Sequence, residues 1–358
     1  MKVCFFGLYV MDDMNSLLKK KLEFKGIDVV ECQEQIRNNF FLIIPTYLKL
    51  FLKIRKLDYD IIIIPRWRGG LALPLAKFIS KKPILYYSYA MPYDIFIDDR
   101  KMFKQNSIMA KLISFWCKLC LKLSTVTILE TNVDINYKSN KFKIDKKKLK
   151  RIFIGADDTL FPSCSFKEQD TNFTILYFGK FVPLHGIEQV IEAAKILSEH
   201  KEIIFKFCGD GQAKNTMMKL VTKYNLKNIK FLGFVEHEIL IENINQSDVC
   251  LGIFGDSIRG TRVITNKVYQ ILCSQKPLIT RNTEATKEIG LTSNKNCILV
   301  SENNPMELAD AILNLKNNVN KRREIAESGN NLYQEKLSIE KTSAQIIDLL
   351  NELIIKNK

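Results

Sequence analysis

The chain has 358 residues, of which 46% are hydrophobic and 26% are charged, a composition that excludes a disordered or fibrous protein. This length exceeds one ordinary hydrophobic core and predicts two domains of comparable size. Lys and Arg total 54 against 39 Asp and Glu, giving a formal charge of +15, which favours nucleic acid, an anionic membrane surface or a phosphorylated substrate as a partner.

Nine cysteines are scattered along the chain without paired spacing, which predicts free thiols in a reducing compartment. Cys117 and Cys120 lie close together, but no second pair or nearby histidine completes a zinc site. We therefore expect no metal centre. The longest apolar stretch, Phe40 to Leu52, is interrupted by Pro45 and is shorter than the roughly 20 residues that span a bilayer. A cytoplasmic protein is expected.

The first half alternates short apolar runs with amphipathic segments. Continuous apolar runs such as Ile61 to Ile64 are typical of parallel strands that are covered on both faces. The predicted strands are Val3 to Phe6, Asp28 to Glu31, Asp60 to Ile64, Pro83 to Tyr87, Thr125 to Leu129 and Arg151 to Ile154. We expect a Rossmann-like domain over residues 1–165.

The second half repeats this rhythm and predicts a second Rossmann-like domain over residues 166–335. Its predicted strands are Phe173 to Phe178, Ile203 to Phe207, Asn228 to Leu232, Val249 to Ile253, Pro277 to Thr280 and Cys297 to Val300. Helices are predicted near Ile187 to Ser198, Gln212 to Tyr224 and Pro305 to Glu327. An amphipathic helix near Ile339 to Ile355 fills the terminal segment, residues 336–358. Two such domains are expected to face each other across one ligand cleft.

The stretch from Asp248 to Thr280 combines a strand, a loop that contains Gly255, and a helix. Loops of this kind and helix N-termini present free N–H groups that suit a phosphate. Arg259, Arg262 and Lys267 add cationic side chains at the same place. The stretch therefore predicts a diphosphate site, and the alternative is an ordinary βαβ unit with solvated basic residues.

This stretch resembles the donor-binding segment of the family-4 retaining glycosyltransferases, bacterial polysaccharide-pathway type. The family pattern contains two glutamates separated by seven residues. Gln270 stands at the second glutamate and Arg262 at the first, so both carboxylates are missing. Asn266 to Tyr269 matches a variant found in many bacterial polysaccharide-pathway members. The resemblance implies a GT-B fold of two facing Rossmann-like domains, with the last helix packed on the first domain.

A second loop resembles the family's Gly-Arg, four residues, Lys-Gly motif, whose cations hold the donor diphosphate. Gly179 and Lys180 match its start, and His185 stands where the family has lysine. Lys lacks the bidentate fork of Arg, and His185 carries charge at neutral pH only if its surroundings raise its pKa. The alternative for His185 is a helix-start residue that is bonded to the backbone.

Two further glycine sites complete the resemblance. Gly209 and Gly211 match the family's Gly-x-Gly turn, which lets the backbone approach the nucleotide. Gly7 is predicted to end the first strand and face the cleft. Asp94 follows the fourth predicted strand, where it could reach the acceptor or the transferred sugar, and we predict a catalytic role for it. The alternative for Asp94 is a helix cap or a surface ion pair.

The segment from Ser107 to Leu123 predicts an amphipathic helix with lysines along one side. Such a helix suits peripheral contact with an anionic membrane, and the alternative is a helix that covers a sheet. Nucleic acid is not expected as a partner, because no basic motif is interleaved with aromatic residues.

The resemblance implies transfer of a sugar from UDP- or GDP-sugar to a cell-surface glycan or lipid-linked acceptor, with retention and with no metal or resident cofactor. Lys180 and Lys267, with Arg262, are expected to hold the diphosphate, and Gln270 the ribose. Two alternatives stay open. One is a nucleotide-sugar epimerase of the same fold, and the other is a non-catalytic sugar-nucleotide binder, which the missing glutamates favour.

Overall fold

The computed structural model describes residues 1–9, 13–35, 43–65, 70–164 and 172–357. The chain divides into two compact units. Unit 1 comprises Met1–Ile154 and Ile339–Lys358, and unit 2 comprises Gly155–Ser338. Each unit contains a parallel sheet of six strands. Among the helices in these ranges, none combines the length and hydrophobicity needed to cross a bilayer.

The sheet of unit 1 has the strand order β2-β1-β3-β4-β5-β6, which is the flavodoxin-like version of the doubly wound arrangement. Its strands are β1 (Lys2–Tyr9), β2 (Asp28–Gln35), β3 (Ile61–Pro65), β4 (Ile84–Tyr87), β5 (Val126–Leu129) and β6 (Leu149–Arg151). The helices along this part of the chain are α1 (Asp13–Phe24), α2 (Ile43–Ile54), α3 (Leu73–Ile79), α4 (Ile108–Leu123) and α5 (Asn132–Phe142).

One hydrophobic core of unit 1 lies between the sheet and helices α2 to α5. Cys4, Phe6 and Leu8 of β1 share one cluster with buried residues of all four helices, because alternate residues of a strand point to the same face. The crossover from β1 to β2 runs in the opposite direction to the crossover from β2 to β3. Right-handed crossovers therefore place α1 on the other face of the sheet from α2.

Unit 2 has the strand order β12-β11-β10-β7-β8-β9, which is the Rossmann order. Its strands are β7 (Phe173–Phe178), β8 (Ile203–Cys208), β9 (Ile229–Gly233), β10 (Val249–Leu251), β11 (Leu278–Arg281) and β12 (Ile298–Val300). Its helices are α6 (Ile187–Ile196), α7 (Lys214–Lys223), α8 (His237–Gln246), α9 (Asn266–Cys273), α10 (Glu284–Ile289), α11 (Pro305–Asn317) and α12 (Val319–Lys336). The order reverses between β7 and β10, and their carboxyl ends form the switch point where such sheets bind ligands.

The last helix, α13 (Ile339–Ile355), contacts α1 and belongs to unit 1. The predicted fold class, an α/β chain with two Rossmann-like parallel-sheet domains and a terminal helix that returns to the first, is confirmed. The predicted domain boundaries fell at residues 165 and 335, and the units meet at Ile154 and Ser338.

The bounds of several predicted elements differ from the structure, and β2, predicted to end at Glu31, continues to Gln35. The strand predicted from Arg151 to Ile154 is β6 at Leu149–Arg151, and the buried apolar residues after it lie outside the strand. β1 continues past Phe6 because β2 stays paired with it, so that Gly7 lies inside the strand opposite Gln33. The helix predicted from Pro305 is two helices, because the Asn318 side chain accepts a hydrogen bond from Lys321 N and caps α12.

Candidate functional site

Three loops meet at the carboxyl ends of β7, β8 and β10, and glycines allow their backbones to touch. A Cβ atom on Gly209 would lie 2.0 Å from Gly179 O, and a Cβ atom on Gly255 would lie 2.0 Å from Pro183 O. Phe254 N also donates to His185 O at 3.1 Å. A larger residue at Gly209 or Gly255 would force these loops apart, so the loops form one fixed arrangement.

Lys267, in the first turn of α9, is the cation at the centre of this arrangement. Its side chain is only 4% exposed, and its Nζ lies 3.7 Å from the centroid of the Tyr177 ring. Within the part of the chain that the structure describes, this buried Nζ has no hydrogen-bond partner. Burial holds the pKa of Lys267 well below the ordinary lysine value, because water no longer stabilises the charged form.

His185 lies beside Lys267 in a 3-10 turn, Pro183–His185, that precedes α6. A Cβ atom on Gly179 would lie 3.5 Å from His185 Cε1 and 3.3 Å from Lys267 Cε, so all three residues share one small space. Burial, and then the charge of Lys267, hold the pKa of His185 well below its ordinary value. Its surroundings lower the pKa rather than raise it, so His185 is neutral at pH 7 and does not supply the charge of the family's lysine.

The remaining predicted donor-side residues of unit 2 lie in the same loops and in α9. Lys180 follows Gly179 directly and is exposed, whereas Arg262 is 2% exposed. Gln270 is half-buried and lies three residues after Lys267 in α9, so the two side chains share a helix face. Gly211, on the β8 loop, donates its N–H to Asp210 and packs its Cα against the backbone of Phe181.

Two residues that support the site were not predicted from the sequence. The Tyr177 hydroxyl lies 2.7 Å from His185 Nδ1 and 3.0 Å from Lys180 O, while its ring underlies Lys267. Arg281 of β11 donates to Gly255 O and also pairs with Glu302, which fixes the loop after β10. Tyr177 sits in an apolar strand, and the one available signal was a polar hydroxyl two residues before the Gly-Lys loop.

Asp94 and Gly7 belong to unit 1. Asp94 begins a π-helical turn, Asp94–Asp99, and is 2% exposed. Its carboxylate accepts from Met91 N at 2.8 Å and pairs with Lys138 Nζ at 3.1 Å. The expected surface ion pair is therefore a buried one, because Lys138 reaches it from α5 within the core. The catalytic role of Asp94 and the donor role of Gly7 stay predictions.

The residues of the described ranges include no group of three or more His, Cys, Asp or Glu that could hold a metal ion. The arrangement in unit 2 instead offers backbone N–H groups, a helix N-terminus and buried cationic side chains to an anion. This chemistry suits a diphosphate.

Solved structures match nearly the whole length of the chain. Anabaena HepE in complex with UDP matches with a TM-score of 0.73 at 16% identity, over 98% of this chain and all of that one. Sucrose-phosphate synthase from Thermosynechococcus elongatus matches with a TM-score of 0.78 at 15% identity, over 99% of each chain. At these identities the likeness shows the fold, which is that of the GT-B glycosyltransferases.

Sequence comparison gives a family match for most of unit 2. Residues 164–332 match the family described as glycosyl transferases group 1. An uncharacterized glycosyltransferase of Methanocaldococcus jannaschii is 29% identical over 188 residues, which are 52% of this chain and 50% of that protein. A second one from the same organism is 22% identical over 86% of this chain and 79% of its own length. Residues 164–332 are therefore similar to a glycosyltransferase group 1 domain, and the matched part of this chain spans about half the length of the first relative.

Proposed function

We propose that the protein is a retaining, metal-independent, hexosyltransferase-like glycosyltransferase that uses a nucleotide-diphosphate sugar as donor. The observation that carries this proposal is the buried amino group of Lys267, which has no hydrogen-bond partner in the described residues. Protonating a buried amine is costly unless an anion compensates the charge. Its position beside Gly179 and His185, at the switch point of a parallel sheet, is where a diphosphate would compensate that cost.

The chemistry needs little more than charge stabilisation. When the bond between a sugar and a diphosphate breaks, negative charge develops on the leaving phosphate. Donors that are already fixed in place stabilise such charge most effectively. Lys267 and Lys180 supply cations, and the N-termini of α6 and α9 supply positive dipole ends. Arg262 completes the diphosphate group, Gln270 is assigned to the ribose, and Asp94 is assigned to the acceptor side.

The relatives support a UDP-sugar as the first donor to test. HepE was crystallised with UDP and with UDP-glucose. The alpha-D-kanosaminyltransferase of Streptomyces kanamyceticus is 23% identical over 181 residues, half of this chain, and its name indicates transfer of a kanosaminyl group. GDP-sugars are the second donor class in the proposal, since no contact among the described residues of unit 2 selects a particular nucleobase.

We assign the acceptor to a cell-surface glycan or its lipid carrier, and the reaction to the cytoplasmic side of a membrane. All nine cysteines are free and eight of them are buried, as in proteins of reducing compartments. Contact with an anionic membrane would bring such an acceptor to the enzyme.

The test is release of nucleoside diphosphate and transfer of labelled sugar, measured across UDP- and GDP-sugars with polyprenyl-phosphate-linked acceptors. We expect turnover with one donor class, insensitivity to EDTA, and a product that keeps the anomeric configuration of the donor. The matched variants are Lys267→Met in the site and Lys287→Met on an exposed helix face. If Lys267→Met turned over the donor as fast as the control Lys287→Met, the proposal would be contradicted.

A non-catalytic sugar-nucleotide binder is the second candidate, because Arg262 and Gln270 occupy the positions of the two family glutamates. This candidate predicts that a nucleotide sugar binds and raises the melting temperature. It also predicts that neither sugar transfer nor hydrolysis follows with any acceptor.

A further inference from the structure

Three helices on one face of unit 1 expose large apolar side chains to solvent. Helices α2, α3 and α4 pack on the same side of the sheet, and α3 packs directly against α4. Phe78 of α3 is 84% exposed and Phe115 of α4 is 65% exposed. The other exposed apolar residues of these helices include Leu48, Leu52, Ile108 and Leu112, each more than half exposed. We call these six residues and the lysines of the three helices the basic apolar face.

The charged side chains of these three helices have one sign, and one of them, Lys49, pairs with Glu34 of β2 at 2.8 Å. Helices α2, α3 and α4 contain six lysines and no carboxylate, and five of the six lysines are exposed. The sequence from Arg100 to Leu129 likewise contains neither Asp nor Glu. Exposed apolar residues scattered singly are normal on a protein surface. In unit 1, exposed apolar residues recur on three helices of one face, and the same helices carry lysines.

The opposite face of the same sheet differs. Helices α1 and α13 together contain four lysines and five carboxylates. Phe24 is exposed at the end of α1, but acidic residues of both helices accompany it. The excess of positive charge in unit 1 therefore belongs to one face rather than to the whole unit.

We propose that the basic apolar face docks unit 1 on an anionic lipid surface. The phenylalanines and leucines would insert at the level of the acyl-chain boundary, and the lysines would pair with lipid phosphates. Charge complementarity selects this occupant over a second copy of the chain, since two copies would bring their lysines together. This inference names the surface for the membrane contact proposed above, and it does not depend on the sugar-transfer activity.

The experiment measures binding of the whole protein to vesicles of phosphatidylcholine, alone or mixed with phosphatidylglycerol in equal parts. We expect sedimentation with the mixed vesicles only. Phe78→Ser and Phe115→Ser should each weaken binding about tenfold, from the lost burial of one aromatic side chain. Lys111→Glu with Lys118→Glu should remove the preference for anionic lipid.

The matched controls lie on the other face. Phe24→Ser, and Lys20→Glu with Lys25→Glu, should leave vesicle binding unchanged. Equal binding to both vesicle types, or equal losses from the variants of the two faces, would overturn the proposal. So would binding to duplex DNA or RNA that falls with the lysine changes, together with vesicle binding that does not.

A second inference concerns Tyr177 and stands on separate contacts. A carbonyl oxygen only accepts hydrogen bonds, so the Tyr177 hydroxyl donates to Lys180 O, 3.0 Å away. His185 Nδ1, 2.7 Å from the same hydroxyl oxygen, must then carry the hydrogen and donate to it. This chain of hydrogen bonds leaves His185 Nε2 as the nitrogen that accepts a proton.

We infer that Tyr177 is a positioning residue for the donor diphosphate. Its ring supports the Lys267 ammonium at 3.7 Å from the centroid, and its hydroxyl sets the tautomer and orientation of His185. This inference rests on the proposed function. Its structural part, the His185 tautomer, is measurable without any donor.

The test uses protein labelled with ¹⁵N at its three histidines, with His185→Gln for assignment. We expect one neutral Nδ1–H tautomer for His185 in the wild type and a mixture of tautomers in Tyr177→Phe. Donor affinity in that variant should fall about fivefold, from one lost hydrogen bond. Tyr177→Leu should cost more, because the ring beneath Lys267 is also lost.

Tyr224→Phe removes another tyrosine hydroxyl of unit 2 and should leave the His185 signals unchanged. Unchanged His185 signals in Tyr177→Phe would overturn the inference. If the tautomer shifts in Tyr177→Phe but no nucleotide sugar binds the wild type, the proposed function fails and the tautomer assignment stands.

Discussion

Among the described residues each unit buries two lysines, and one from each unit, Lys138 and Lys267, have opposite surroundings. Lys138 in unit 1 is fully buried and pairs with both Asp94 and Asp134. Lys267 in unit 2 is 4% exposed and has no hydrogen-bond partner within the described residues. Lys138 therefore lies beside carboxylates of the same unit, whereas Lys267 lies against the aromatic ring of Tyr177.

This difference separates structure from function. A buried ammonium is tolerated when carboxylates compensate its lost hydration, and it then behaves as part of the core. An uncompensated ammonium lowers stability, and a protein that keeps one gains an anion site that is already desolvated. The comparison therefore predicts a structural role for Lys138 and a binding role for Lys267.

The largest expected effect is the loss of stability in Lys138→Met. This change removes the ammonium beside two buried carboxylates and should lower the free energy of unfolding by about 3–5 kcal/mol. Both tryptophans of the chain lie in the first 154 residues, so tryptophan fluorescence in urea reports the unfolding of unit 1. A loss below about 1 kcal/mol would remove the distinction between the two lysines.

Lys267→Met should show the converse behaviour. Removing a buried amine that has no compensating carboxylate should leave stability unchanged or slightly raised. The affinity for a nucleotide sugar should fall about 100-fold, as expected when one side of a desolvated charge pair is lost. Calorimetric titration measures the affinity, and circular dichroism in urea measures the stability. Lys180→Met, at an exposed position, should cost less affinity, since a screened cation binds a phosphate more weakly.

The outline of unit 2 could be predicted from the sequence because its signals are local. Its six strands are short and mostly apolar, and each predicted strand overlaps an observed one. The glycines at 179, 209 and 255 could be assigned to loops because strands end before them. The split at Asn318 was missed, since the apolar pattern continues across it and only the cap shows the break.

The chemistry of the site could not be predicted in the same way. The charge of His185 depends on burial and on Lys267, which arrives from a different helix. In the sequence, Tyr177 cannot be distinguished from the core residues of its apolar strand. Its contacts depend on two segments that fold over it. In unit 1, the pair of Lys138 with Asp134 follows helical spacing, but its partner Asp94 comes from a distant segment that only the fold brings near.

Donor binding should be accompanied by proton uptake at Lys267 and His185. The pKa of Lys267 and the pKa of His185 are both held low by burial, and a bound diphosphate would raise both because it stabilises the charged forms. Between the lowered pKa and the pKa in the complex, each group gains a proton on binding. Donor affinity should therefore fall as pH rises through that window, by up to about tenfold per pH unit for each proton.

Calorimetry in buffers of different ionisation enthalpy measures this uptake directly. A nucleotide sugar is the ligand of choice, because its diphosphate has no proton to lose near neutral pH. Lys267→Met should remove the part of the uptake that belongs to lysine and leave the part that belongs to His185. Affinity that is independent of pH between about 7 and 10 would contradict the low pKa of Lys267.

The smallest expected effect is the change in stability of Lys19→Met, because Lys19 is paired but exposed. Lys19 Nζ lies 2.6 Å from Glu31 Oε1, and the two side chains are 42% and 53% exposed. Water and salt screen this pair, so Lys19→Met should change the free energy of unfolding by less than about 1 kcal/mol. Urea unfolding of unit 1 at low and high salt measures it. If Lys19→Met cost as much as Lys138→Met, pairing rather than burial would set the cost, and the contrast between Lys138 and Lys267 would need another cause.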